Sequence, residues 1–157
     1  MPIIRANEAQ RDEPEKTHAV LGPYSARLFS DSGGLTQFGA FTETLPPGSK
    51  SSLRHWHQTE DEMIYMLSGT VTVHEGDSTG TLTPGDAATF KAGEQNGHYL
   101  ENNGTADATY LVIGTRAESD VITYPDHDRV LRFDRKTGER RYETLDGSAA
   151  KSPDLRT

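Results

Sequence analysis

From Tyr24 to Thr115 no stretch is long and helix-periodic enough to build a βαβ unit, and this constrains the fold more than any other feature of the chain. Short β-like runs are broken instead by turn residues. Tyr24–Ser30 stops before Asp31, Ser32, Gly33 and Gly34, and Thr36–Leu45 alternates until Pro46, Pro47 and Gly48. Ser52–His57, Glu62–Leu67, Thr70–His74, Gly80–Leu82, Ala88–Phe90, His98–Glu101 and Thr109–Ile113 follow, separated by glycine, asparagine and proline. Many short strands at near-regular spacing predict an all-β sandwich or barrel. A jelly roll, in which two antiparallel sheets wrap over each other, also answers the problem of exposed sheet edges.

The 157 residues suit one domain, and only 32% are hydrophobic, so the core is small and the ends are solvated. Residues 1–17 read as a flexible N-terminal arm, ordered only where it docks on a partner or on the barrel. Residues 18–116 form the barrel. Residues 117–146 make an extension with a hairpin about Lys136, Thr137 and Gly138, and residues 147–157 are expected to be a disordered tail. The arginines of that hairpin (Arg129, Arg132, Arg135, Arg140 and Arg141) alternate with acids, which favours a solvated or interface hairpin over a phosphate-binding patch.

The net charge of −8 argues against general binding to nucleic acid or to an anionic membrane surface. No apolar run approaches the length of a membrane span, and no secretory signal is visible at the N-terminus. The absence of cysteine excludes disulfides, thiolate ligands and cysteine nucleophiles, and with no signal it fits a cytoplasmic protein.

The chemistry is carried by His55, Trp56 and His57, followed by Glu62 and Gly69. Alternate residues of a strand share a face, so His55 and His57 project together and Trp56 projects the other way. Glu62 opens the next run with Ile64 and Met66 on its face, which sets apolar walls below a polar centre. His98 opens a later run and is followed by Asn102. Three imidazoles and one carboxylate are a donor set for one divalent transition metal, and zinc, iron, manganese and nickel all accept it. In an octahedral arrangement two positions stay open for water, dioxygen or a bidentate ligand. Asn102 reads as a turn-fixing residue. His18, His74 and His127 read as ordinary surface or hydrogen-bonded histidines, and Lys50, Arg54 and Gln37 as solvated strand positions.

These two segments resemble the two motifs of the cupin superfamily. Gly48, His55, His57, Glu62 and Gly69 match the first, with one extra residue between Gly48 and His55. Gly85, Gly93, His98 and Asn102 match the second, with Lys91 where proline is usual and a longer loop, 94–97, before His98. The segment from Gly114 through Asp120 and Tyr124 to Asp128 is similar to a C-terminal extension of small bacterial single-domain cupins, some of which carry the label sugar-phosphate isomerase-like. The resemblance implies a double-stranded β-helix, His55, His57, Glu62 and His98 as metal ligands, and a homodimer. It implies a metal-dependent protein acting on a small carbohydrate-like or oxygenated molecule by Lewis-acid or redox chemistry, isomerase-like or dioxygenase-like. The alternative is a non-catalytic small-molecule-binding or sensor protein. Fold alone does not fix the reaction.

Overall fold

The computed structural model describes residues 2–153. Fourteen strands account for nearly all the regular structure. One sheet has six: β1 (Gln10–Asp12), β2 (Ser25–Leu28), β3 (Phe38–Leu45), β10 (Ala108–Thr115), β5 (Glu62–Ser68) and β8 (Ala87–Phe90), in that spatial order. A second group places β6 (Val71–Glu75) between β7 (Ser78–Leu82) and β9 (His98–Glu101). A third runs β14 (Ala149–Ala150), β13 (Arg140–Glu143), β12 (Arg129–Asp134), β11 (Ser119–Tyr124) and β4 (Trp56–His57). All registered pairs are antiparallel. This is the jelly roll expected from the turn spacing.

The second and third groups join at His55. It bridges His98 of β9, with the His98 amide donating to the His55 carbonyl at 2.9 Å, while Trp56 and His57 pair on their other side with β11. The extension after Thr115 continues the barrel's second face through β11, and its expected hairpin about Lys136, Thr137 and Gly138 is formed by β12 and β13. The expected run Ser52–His57 is strand only at Trp56–His57. Residues before it track β9 through single contacts, such as the Ser51 amide to the Leu100 carbonyl at 2.9 Å.

The inner faces follow the period-two rule. Ile64 and Met66 of β5, Leu100 of β9 and Tyr110 of β10 are each no more than 2% exposed, while Tyr65 points outward at 40%. Gly69 makes the β5–β6 turn at φ +72°, and a Cβ there would lie 2.5 Å from the Asp107 carbonyl oxygen. Asn102, fully buried, ties the turn that leads into β10. Its amide donates to the Leu45 and Ala106 carbonyls at 2.7 and 2.9 Å, and its oxygen accepts from the Gly104 amide at 2.9 Å.

The N-terminal arm is ordered where it docks on the barrel, and part of the expected tail is a strand. Within the N-terminal arm, β1 adds to the free edge of β2 and Ala9 is buried, which covers an exposed edge. Within the tail, Ala149–Ala150 pair with β13, while residues 154–157 lie outside the described residues. A four-residue helix, α1 (Phe29–Ser32), follows β2 where only the end of a strand was anticipated. No helix among the described residues is long and apolar enough to cross a membrane.

Candidate metal centre

His55 and His98 face each other across an antiparallel bridge, so both rings enter the barrel from the same side of the sheet. Their centroids are 4.8 Å apart. Glu62, first residue of β5 in the opposite sheet, comes from the facing wall. One donor atom each from His55, Glu62 and His98 lies within 4.8 Å of the others. The sequence thus brings three of its four expected ligands into one tight group.

His57 stands beside that group. Its ring meets that of His55 edge-on with centroids 5.0 Å apart, and it lines the same narrow opening as Glu62 and His98. Its Nδ1 donates to Asp120 Oδ2 at 2.6 Å. Asp120 is buried on β11 and firmly held: its Oδ1 accepts from the Thr59 amide at 2.9 Å and from the Thr59 hydroxyl at 2.8 Å. Glu60 approaches from the same side, but it accepts from Arg135 at 2.6 Å and from the Ala117 amide at 3.0 Å. His57, Glu60 and Asp120 have donor atoms close enough to hold an ion themselves. Both Asp120 oxygens and Glu60 Oε1 are already engaged with protein donors, and Asp120 acts as a brace for His57.

Hydrogen bonds at the back of two rings set their tautomers. His55 Nδ1 donates to the Leu53 carbonyl at 2.8 Å, and His57 Nδ1 donates to Asp120, so each Nε2 carries its lone pair. His98 is stacked on Phe90, with centroids 3.6 Å apart and planes 2° from parallel. Its Nε2 is buried and has no hydrogen-bond partner among the described residues; a Glu62 oxygen is 3.5 Å away. A buried nitrogen without a partner is costly unless something else binds it.

The charges agree with this arrangement. Burial, reinforced by the neighbouring imidazoles of His98 and His57, pushes the His55 pKa down to about 4, so its ring is neutral and available at physiological pH. Burial pushes His57 down as well, but the bond to Asp120 and its charge outweigh that and hold its pKa above the ordinary histidine value. Burial pushes Glu62 up, yet the surrounding histidines hold it below the usual glutamate range, as an ionised carboxylate. Three nitrogens and one anionic oxygen, with bare Nε2 atoms and one nitrogen lacking any partner, fit a divalent transition metal.

Two spaces adjoin the histidines of the centre. The narrow opening is lined by Trp56, His57, Glu60, Lys91, Glu94 and His98, among others, so the extended loop before His98 forms part of its rim. Inside lies a cavity of about 140 Å³ lined by Phe41, Glu43, His55, Glu62 and Tyr110, among others. Glu62 borders both.

The remaining candidates occupy bland positions. His18 Nδ1 accepts from the Val20 and Leu21 amides at 3.2 and 3.1 Å. His74 contacts Glu101 at 3.0 Å and stacks on Tyr99. His127 ends a single 3₁₀ turn. Lys50 and Arg54 are ion-paired with Glu101 and Asp126. Trp56, expected to project to the side opposite His55 and His57, is partly buried at the rim of the opening. Asp120 and Glu43 were not anticipated. The signal for each was an acid on the inward parity of a β-run: Asp120 with Ile122 and Tyr124, and Glu43 between Phe41 and Leu45.

A jelly roll carrying a histidine-rich centre between its two faces defines a class of β-barrel proteins with a metal-binding interior. The chain belongs to the cupin superfamily: the family profile described as "Cupin domain" matches residues 41–114, and a full-length structural relative is shared with that superfamily. That relative, a sugar phosphate isomerase of the cupin superfamily from Silicibacter pomeroyi, is 32% identical, covers 98% of this chain and 99% of its own, and superposes with a TM-score of 0.86. A protein from Acidithiobacillus ferrooxidans, provisionally named a sugar phosphate isomerase, is 26% identical over 96% of both chains, with a TM-score of 0.80. A Thermotoga maritima protein with the provisional name oxalate decarboxylase shares the fold at 21% identity, a TM-score of 0.62 and coverage of 73% of this chain and 99% of its own. No curated protein is significantly similar to the chain.

Proposed function

We propose that this protein is a metal-dependent enzyme acting on a small carbohydrate-like hydroxycarbonyl compound, with isomerase-type chemistry. The observation that carries the reading is the convergence of His55, Glu62 and His98 on one point, with the His98 Nε2 left without a partner. His57, fixed by Asp120, is the fourth ligand in this reading. The metal supplies Lewis acidity toward a carbonyl and a neighbouring hydroxyl oxygen when bound. The chain's own part is to hold Nε2 of each histidine bare, to keep Glu62 ionised and to offer a cavity of about 140 Å³ beside them.

That volume suits a molecule of a few carbons rather than a polymer or an extended cofactor. The names of the two full-length structural relatives favour a sugar phosphate over an aromatic diol or a dicarboxylate. The outer face of the six-stranded sheet leaves Phe38, Tyr65 and Leu67 39–46% exposed, which supports a homodimer through that face.

Elemental analysis of purified protein tests the metal, and turnover of a panel of aldose and ketose phosphates by zinc-, iron-, manganese- and nickel-loaded protein tests the reaction. About one equivalent of metal per chain and metal-dependent interconversion are expected. Metal and ligand binding without turnover of any compound assigns the protein to small-molecule sensing instead.

A further inference from the structure

Glu43 is an acid in a place built for apolar residues. On β3 it lies between Phe41 and Leu45 on the inward face, is only 9% exposed, and lines the cavity that His55 and Glu62 also line. Strand β10 separates β3 from β5, and the register through Tyr110 sets Glu43 level with Met66, four residues along β5 from Glu62. The two carboxylates therefore approach the cavity they share on a diagonal. The Tyr110 hydroxyl, on a fully buried side chain, donates to Glu43 Oε1. Glu43 Oε2 has no hydrogen-bond partner among the described residues, on a side chain that borders the cavity. The charges and hydroxyls acting on Glu43 are those of Tyr110, Glu62 and Asp12, with no cation among the described residues. An unpaired carboxylate in such a position is costly, and an apolar residue like its neighbours would serve the core better.

We propose that Glu43 is the proton-transfer group of the cavity: its Oε2 takes a proton from the carbon next to the carbonyl of a bound hydroxycarbonyl compound and returns it to the adjacent carbon, with Tyr110 as the positioning residue. The inference rests on the isomerase reading above and names the group that reading requires. As ionised Glu43 takes the proton, the C–H electron pair forms a double bond between the two carbons and displaces the carbonyl pair onto oxygen. A proton passes from the hydroxyl oxygen to the former carbonyl oxygen. Collapse in the other direction forms the new carbonyl, and the neighbouring carbon recovers the proton from Glu43. Atoms and electrons balance, and no oxidant or co-reactant enters. Burial holds the Glu43 pKa up at about 7 against the lowering effect of the Tyr110 bond, so both protonation states are populated at neutral pH, as a general base and acid needs.

The test is solvent deuterium incorporation, followed by NMR, into dihydroxyacetone, dihydroxyacetone phosphate and the pentose and hexose phosphates, with metal-loaded and chelated protein. Glu43→Gln keeps the size of the side chain and its acceptor for Tyr110 but cannot take up the proton. It is expected to bind the same amount of metal and to lose about 100- to 10,000-fold in exchange. Tyr110→Phe is expected to move the acid limb of the pH–exchange profile upward, an effect that a purely structural tyrosine would not produce. Exchange at the wild-type rate by metal-loaded Glu43→Gln overturns the proposal. So does the absence of exchange by metal-loaded wild type with every compound, although metal binding would stand. If Glu43→Gln does not fold, an unmoved limb in Tyr110→Phe overturns it. Exchange that survives chelation in the wild type and is lost in Glu43→Gln sinks the metal-dependent reading while supporting Glu43.

Discussion

His57 and Asp120 are 63 residues apart in sequence, yet Nδ1 of one and Oδ2 of the other are 2.6 Å apart. The bond joins the family's central histidine motif to a strand that lies beyond the cupin-domain match. It fixes the ring, selects its tautomer and increases the basicity of the Nε2 that faces the opening.

Asp120→Asn is therefore expected to weaken metal binding by about 10- to 100-fold while leaving the fold intact, because Asn retains an acceptor for Thr59 but does not fix the His57 tautomer. A chelator competition titration measures the change, and circular dichroism checks the fold. An unchanged affinity would show that His57 acts independently of its brace.

Replacement of His98 by Ala removes the nitrogen that lacks a partner and leaves Phe90 without its stacked ring. Metal content after dialysis is expected to fall below about a tenth of an equivalent. His57→Ala is expected to abolish both tight metal retention and turnover, read by elemental analysis and by substrate conversion. Turnover retained by His57→Ala would remove it from the ligand set.

The convergence of His55, Glu62 and His98, with His57 beside them, was legible because these residues sit on two short segments. Strand parity relates His55 to His57, and motif spacing relates them to Glu62 and His98. Asp120 was not legible. One acid among 24 acquires its role only when β11 zips onto a two-residue strand, and no local pattern specifies that pairing. The barrel strands were read nearly in place, with His98–Glu101 matching residue for residue. The terminal strands β1 and β14 were not legible as strands because they have little apolar surface of their own; they are strands only because β2 and β13 offer them an edge. Glu43 is hidden within the alternation of Thr36–Leu45, because no short spacing ties its inward position to the histidines or to Glu62.

Glu43 also predicts how stability varies with pH. Its pKa rises from 4.5 to about 7 on folding, so the folded state binds more protons than the unfolded state between those values. In that window stability falls as pH rises. Glu43→Gln escapes this loss, and it is expected to be more stable than the wild type by roughly 3 kcal/mol above pH 7, with the difference vanishing near pH 4. Urea melts of the metal-free proteins at several pH values measure it. A pH-independent difference would mean that the Glu43 carboxyl is not titrating there.

Gly69→Ala places a methyl against the Asp107 carbonyl in a left-handed turn. Both the contact and the backbone angle oppose it, and a loss of roughly 1–3 kcal/mol is expected from chemical denaturation. The displaced turn joins β5 to β6, the element that carries Glu62 to the element beside His98, so metal affinity is expected to fall with stability.

The place of β4 between β9 and β11 has a consequence for biosynthesis. A nascent polypeptide emerging from the ribosome presents His55, His57, Glu62 and His98 well before residue 120 is available. Until β11 arrives, His57 has no carboxylate behind it and the sheet is open along its edge. In the metal-dependent reading, full affinity for an ion is therefore reached only after residue 120 has been translated and β11 has paired with β4.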